Sequence, residues 1–200
     1  MEERKMLIVG ISGSPRVGGN TDMILQEALT AAKEEGADVK LIRISDYSLQ
    51  PCNACRTCFN TKECVIDDDG EKLYQEVVKA EGVILGSPSY FQGVTAQMKT
   101  FIDRIGYLAL ARERKDFIGK VGGVIAVARR SGAVRTCDQM IMFVTAVRMI
   151  IPSGGRAFTI GNKKGEVAKD TEGVKGARYL GKMMAKTIAA TDSLRKSKST

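Results

Sequence analysis

Four of the five cysteines in this 200-residue chain fall between positions 52 and 64, as Cys52-x2-Cys55-x2-Cys58-x5-Cys64, and the chain has no histidine. Thiolates are soft ligands, and in this number they select zinc or an iron–sulfur cluster. Zinc sites of four cysteines normally use two Cys-x2-Cys pairs with a long spacer between them, and no such spacer is present. Three thiolates at three-residue spacing converge on one cubane only if the backbone wraps around it, which the irregular stretch from Pro51 to Val65 permits. Cys64 is near enough to complete that site, and Cys137 alone cannot build a second. The spacing therefore favours a 4Fe-4S cluster on Cys52, Cys55, Cys58 and Cys64 over zinc or an unmetallated remnant. Without imidazole, every His-based triad, general base and metal site is excluded.

A second segment with chemical potential is Ser12-Gly13-Ser14-Pro15-Arg16-Val17-Gly18-Gly19-Asn20-Thr21. It joins an apolar run to a helical pattern, so the helix dipole and free backbone N–H groups make an anion site there. Its glycines allow close backbone approach, and Arg16 can grip a phosphate through two parallel hydrogen bonds. No lysine stands in the loop, and Gly10 and Gly13 have the wrong spacing for Gly-x-Gly-x-x-Gly. Neither triphosphate hydrolysis nor a dinucleotide fingerprint is supported. A terminal monophosphate fits better than the plainer reading, an ordinary loop capped by Asn20 or Thr21.

Ser87-Pro88-Ser89-Tyr90-Phe91-Gln92-Gly93 adds two adjacent aromatics and backbone donors, which suit a planar heteroaromatic ring. The competing reading has Tyr90 and Phe91 capping the core. A third loop, Ala128-Arg129-Arg130-Ser131-Gly132-Ala133, brings two cations that would favour a reduced, anionic ring. Asp67-Asp68-Asp69-Gly70 reads as an acidic turn capping the next helix rather than a calcium loop. Cys137, on an apolar helix, reads as a small buried hydrophobe.

These loops need a frame. The runs at 5–11, 39–44, 82–86 and 121–127, with a short fifth at Met149-Ile150-Ile151, predict strands. Helical patterns lie between them at 21–35, 71–81, from Val94 through Ile105, and at 137–147, followed by a last helix through Val174, Ala177, Leu180, Met184 and Ile188. Such alternation predicts an α/β fold: a flavodoxin-like, doubly wound, five-stranded parallel sheet of order 2-1-3-4-5. The cysteine-rich insertion, 45–69, follows the second strand. The whole chain, 1–200, reads as one domain, with a tail expected to fray over 193–200. In such sheets a ligand sits beyond the carboxyl ends of the strands, at the switch point.

The bulk numbers agree: 44% hydrophobic and 27% charged residues describe an ordinary globular protein. No apolar run is long enough to span a bilayer, and Met6–Ile11 is too short for a signal-peptide core, so a cytoplasmic location is expected. The net charge of +8 is concentrated at Arg112, Arg114, Lys115, Arg195, Lys196 and Lys198, without interleaved aromatics. That pattern speaks for solvation or partner docking and against nucleic acid.

Ser12-Gly13-Ser14-Pro15-Arg16-x3-Asn20-Thr21, Ser87-Pro88-x-Tyr90-Phe91 and Lys99-x3-Asp103-Arg104 resemble the NADPH-dependent FMN reductase family. The resemblance implies FMN, with Ser12, Ser14, Arg16, Gly19, Asn20 and Thr21 at its phosphate. Pro88, Ser89, Tyr90, Phe91 and Gln92 would lie at the ring, with Arg129 and Ser131 in the third loop. Lys99, Asp103 and Arg104 would be structural or interfacial. The third loop departs from the family's glycine-rich pattern. With the four cysteines and the later Lys164-Gly165-Glu166 and Asp170-x-Glu172-Gly173, the chain is similar to the iron–sulfur flavoproteins of anaerobes. That implies electron transfer between a ferredoxin-like donor and an acceptor, in a homodimer or homotetramer. A clusterless NAD(P)H-dependent FMN or quinone reductase is the alternative, and a non-enzymatic redox sensor a second one.

Overall fold

The computed structural model describes residues 6–196. Three apolar runs form the middle of the sheet: β1 (Leu7–Ser12), β3 (Gly82–Pro88) and β4 (Val121–Ala128), all almost wholly buried. Strands covered by helices on both faces have no wet side and therefore need no polar alternation. The edges do alternate in burial: β2 (Asp38–Arg43) on one side and β5 (Arg156–Ile160) on the other. All pairings are parallel, in the order β2-β1-β3-β4-β5. The flavodoxin-like order read from the sequence is the observed one.

The fifth strand lies further along than expected. Ile150 makes only an isolated bridge to Val121, Pro152 follows, and the paired strand begins at Arg156. Its inward residues are Ala157 and Thr159, while Phe158 and Ile160 face outward. Apolar patterning therefore points away from this strand and toward the Met149–Ile151 run.

The helices pack in two layers. α1 (Asn20–Glu34) and α6 (Thr171–Ala190) cover one face, burying Ile24, Leu25, Leu180 and Met184 against Ile8, Ile84 and Ile125. α3 (Gly70–Val78), α4 (Ala96–Ala111) and α5 (Ala133–Ala146) cover the other around Phe101, Phe117, Phe143 and Cys137. Gly181 permits the close approach of α6 to α1, since a side chain there would collide with the backbone of Ala28. A short helix, α2 (Thr57–Thr61), lies inside the cysteine segment. α7 (Asp192–Lys196) takes in the first residues of the segment expected to fray, and the rest of it lies outside the described residues.

Two of the clustered cations serve the fold. Arg112 pairs with Glu71 and lies 4.5 Å from the centre of the Tyr74 ring, and Arg114 donates to the Ala146 carbonyl. No helix among the described residues is long and apolar enough to cross a membrane.

Candidate functional site

The loop after β1 is held from beneath by one buried carboxylate. Asp22 accepts from Ser12 Oγ at 2.5 Å, from Gly18 N at 2.8 Å and from Arg43 Nε at 2.6 Å. Ser12 is therefore wholly buried and its hydroxyl is committed to Asp22, so it shapes the loop rather than lining a site. Gly13 N donates to Gly86 O at 2.8 Å, which fixes the loop against β3. Gly19 stands at the N-cap of α1 with no side-chain cap, leaving the first-turn amides facing outward.

Above this loop lies an open cleft. Of the expected residues, Ser14, Arg16, Gly19, Asn20, Thr21, Pro88, Ser89, Tyr90 and Arg129 line it. Ser89 Oγ is buried without a hydrogen-bond partner, packed against Gly132 of the β4 loop. Val127, Gly161, Asn162 and Lys164 complete the wall. The last three come from the loop after β5; the sequence motifs include Lys164 in the family resemblance but place none of the three at the site. Lys164 adds a third cation to Arg16 and Arg129.

Asn20 does not reach freely into the cleft. Its Nδ2 donates to Lys163 O at 2.9 Å, and its Oδ1 accepts from Gly165 N at 2.7 Å. Both ends of the amide are used to latch the β5 loop onto the β1 loop.

Phe91, Gln92 and Ser131 are likewise placed outside the lining. Tyr90 and Gly93 exchange backbone hydrogen bonds of 2.9 and 3.1 Å. The two residues between them take positive φ, 46° at Phe91 and 68° at Gln92. That is a two-residue hairpin turn with both central residues left-handed, and it carries Phe91 into full exposure. Gln92 Nε2 instead donates to Ser131 Oγ at 3.1 Å, joining the loops after β3 and β4. Gly132 (φ 93°) lets the β4 loop pass against Ser89 and Gln92. Of the two arginines in that loop, Arg129 lines the cleft and Arg130 does not.

Cys52, Cys55, Cys58 and Cys64 line a second, small cavity, walled also by Arg104, Tyr107 and Leu108 of α4. Its loop is tied at the base. Ser48 N and Gln50 N donate to Asp69 and Asp68 at 2.8 Å each, and Gly70 N donates to Asp68 at 2.8 Å. Asp69 thus sits at the N-cap of α3 but spends its carboxylate on Ser48, a variation on the capping expected of the acidic turn. Arg104 grips Asp68 with both Nη atoms at 2.7 and 2.9 Å, each side chain only 1% exposed. At the far side, Lys62 Nζ donates to Ala111 O at 2.8 Å.

Within the loop, Ala54, Arg56 and Lys62 adopt left-handed backbone without being glycine. Ala54 and Arg56 flank Cys55, and such reversals of handedness aim amides into a concavity. Ala54 N already points at Cys52 Sγ, 3.4 Å away. Burial raises the Cys58 thiol pKa, and the charges of Cys64, Cys52 and Cys55 raise it further, so the four sulfurs share one field. Hydrogen bonds from Thr57 lower that of Cys55. Among the described residues, no three Cys, Asp or Glu side chains stand ready-made around a metal ion. The donor set fits a soft metal in kind, and thiolate sites close on their metal as it binds. Cys137 lies apart, wholly buried, its thiol pushed up to about 12 by burial. Lys99 and Asp103 form an exposed pair on α4.

The profile of the NADPH-dependent FMN reductase family matches residues 6–164. An iron-sulfur flavoprotein of Methanocaldococcus jannaschii is 37% identical over 191 residues, covering 92% of this chain and 97% of its own. One of Archaeoglobus fulgidus is 36% identical over 184 residues, covering 91% and 93% respectively. Among solved structures, a flavodoxin from the domain Archaea superposes with TM-score 0.61 at 14% identity, covering 92% of this chain and 99% of its own, a likeness of fold.

Proposed function

The chain belongs to the NADPH-dependent FMN reductase family, among its iron-sulfur flavoproteins, and from that premise we propose a flavin-dependent oxidoreductase that pairs FMN with a 4Fe-4S cluster. One observation carries the reading: four cysteines line a single cavity in a loop tied down on a flavodoxin-like sheet. An incidental set of thiols would not require a buried ion pair at its base or three strained residues within it.

The cleft residues divide the work of holding FMN. Arg16, Lys164 and the uncapped amides of α1 offer positive charge to a phosphate. Pro88, Ser89 and Tyr90 offer a flat edge to the ring, and Arg129 places a cation beside it. The four cysteines supply thiolates to the cluster. When bound, a cluster handles single electrons and a flavin one or two, so the pair joins one-electron to two-electron chemistry. No side chain of this chain then needs to move a proton.

A ferredoxin-like donor suits the basic surface. A homodimer or homotetramer, bringing one subunit's cluster near another's FMN, is supported by the apolar residues exposed beside the two sites, Phe91, Tyr107 and Met142. The free thiols fit a reducing cytoplasm.

An anaerobic visible spectrum with iron and sulfide analysis tests the reading. Flavin bands, a broad shoulder and about four iron per chain are expected. Flavin without iron or sulfide, even after reconstitution, would leave a clusterless flavin reductase, and no flavin at all would undo the assignment of the cleft.

A further inference from the structure

Arg104 is among the largest side chains fully buried in this protein, 2% exposed. Its two Nη atoms are accounted for: Nη1 donates to Gln50 O and Asp68 Oδ2, both at 2.7 Å, and Nη2 donates to Asp68 Oδ1 at 2.9 Å. Its Nε is buried with no partner. A donor taken out of water and left without an acceptor is unfavourable, most of all on a charged group. The Asp68 pair explains why a cation is tolerated here, but it leaves the Nε–H without an acceptor. A lysine would neutralise Asp68 equally well without creating an orphan donor.

The surroundings supply an acceptor. Arg104 forms part of the wall of the cysteine cavity together with Cys58 and Cys64. Burial works against the charge of Arg104, and Asp68 and Cys64 outweigh it.

We propose that Arg104 is a positioning residue of the cysteine site, which closes the loop through Gln50 and Asp68 and donates its remaining Nε–H to the sulfur of Cys64 when that sulfur is a cluster ligand. The inference rests on the cluster reading given above. A hydrogen bond to a ligand sulfur stabilises the more negative, reduced form and so raises the potential. Loss of such a supporting contact typically weakens metal retention by roughly 10–100-fold.

Arg104→Lys keeps the charge facing Asp68 and removes the planar fork and its Nε–H. In the reconstituted full-length protein, the variant is expected to bind one FMN per chain, as the parent does. Its cluster should have a lower midpoint potential by EPR-monitored titration and be lost to a chelator roughly tenfold faster. A variant with the parent's potential and the parent's rate of iron loss overturns the proposal, since a merely structural ion pair would be preserved by lysine. A measurement on the parent guards against a variant that does not fold. With arginine labelled by 15N at Nε, pulsed EPR of the reduced cluster should detect a coupled 15N, and unlabelled protein should show a 14N coupling in its place. An intact cluster with no such coupling overturns the assignment of Arg104 alone. A parent that takes up no iron overturns the cluster reading, and this inference with it.

Discussion

Replacing Asn20 with alanine separates two roles for that residue, holding the ligand and holding a loop. The side chain makes two hydrogen bonds to the backbone after β5, 2.9 Å to Lys163 O and 2.7 Å from Gly165 N. A net contribution of about 0.5–1.5 kcal/mol for each bond, taken at the lower half because both lie near solvent, gives about 1–2 kcal/mol for the latch. At a factor of ten per 1.4 kcal/mol, the closed loop loses roughly 5–30-fold in population relative to the open one. Hydrogen exchange of the FMN-free protein, followed on peptides spanning 161–166, should show Gly165 exchanging faster by that factor. FMN affinity, by fluorescence titration, should fall by no more than the same factor, because Asn162 and Lys164 ride on the loop. Asn20→Asp keeps the acceptor for Gly165 N and should retain part of the protection. Unchanged exchange at Gly165, combined with a loss of FMN affinity beyond about a hundredfold, would refute the latch and return Asn20 to the phosphate.

Two further outcomes follow from buried groups. Burial alone would lift the Asp68 carboxyl, but the Arg104 fork and the Gln50 and Gly70 amides outweigh it and hold it below the usual carboxylate range. Its stabilisation is present above the unfolded value near 3.9 and is lost as pH falls through the lower native value. Asp68→Asn should therefore cost about 3–5 kcal/mol at pH 7, by urea denaturation, with the gap to the parent narrowing below about pH 4. An equal gap at both pH values would refute the pairing. The Cys137 thiol, raised to about 12, should resist iodoacetamide in the native metal-free chain at pH 8 while the loop cysteines react. Modification of Cys137 at the rate of Cys55, by peptide mass spectrometry, would contradict its burial.

The central strands were legible because burial on both faces leaves an unbroken apolar signature, as in Ile8, Val9 and Ile11. β5 was not, because a small residue and a hydroxyl, Ala157 and Thr159, fill its inward positions while Phe158 and Ile160 face outward. The cysteine spacing and the β1 loop announced themselves by residue type. Sequence could not say that Ser12 would be consumed by Asp22, because that bond depends on where α1 lands. Nor could it foresee the turn that swings Phe91 and Gln92 out of the cleft: aromatic and amide side chains at positive φ run against their own preferences. Lys164 and Asn162 were hidden for another reason. Their loop joins the site only through a strand whose position the apolar pattern misplaced.

The two sites share a single rigid element, and that sets the distance between them. At the start of α4, Thr95 donates through Oγ1 to Gly13 O at 2.6 Å and through its backbone N to Ser87 Oγ at 3.1 Å. Both cleft loops are thereby fastened to the N-terminus of this helix. Nine residues on, Arg104 fastens both ends of the cysteine loop. At 1.5 Å per residue, these anchors lie about 14 Å apart along the helix axis. The loops around either site can vary in length and sequence without altering this span, because neither loop sets it. A change within α4 that shifted its register would disturb both sites together. Exposed positions such as Lys99 and Asp103 are free of that constraint.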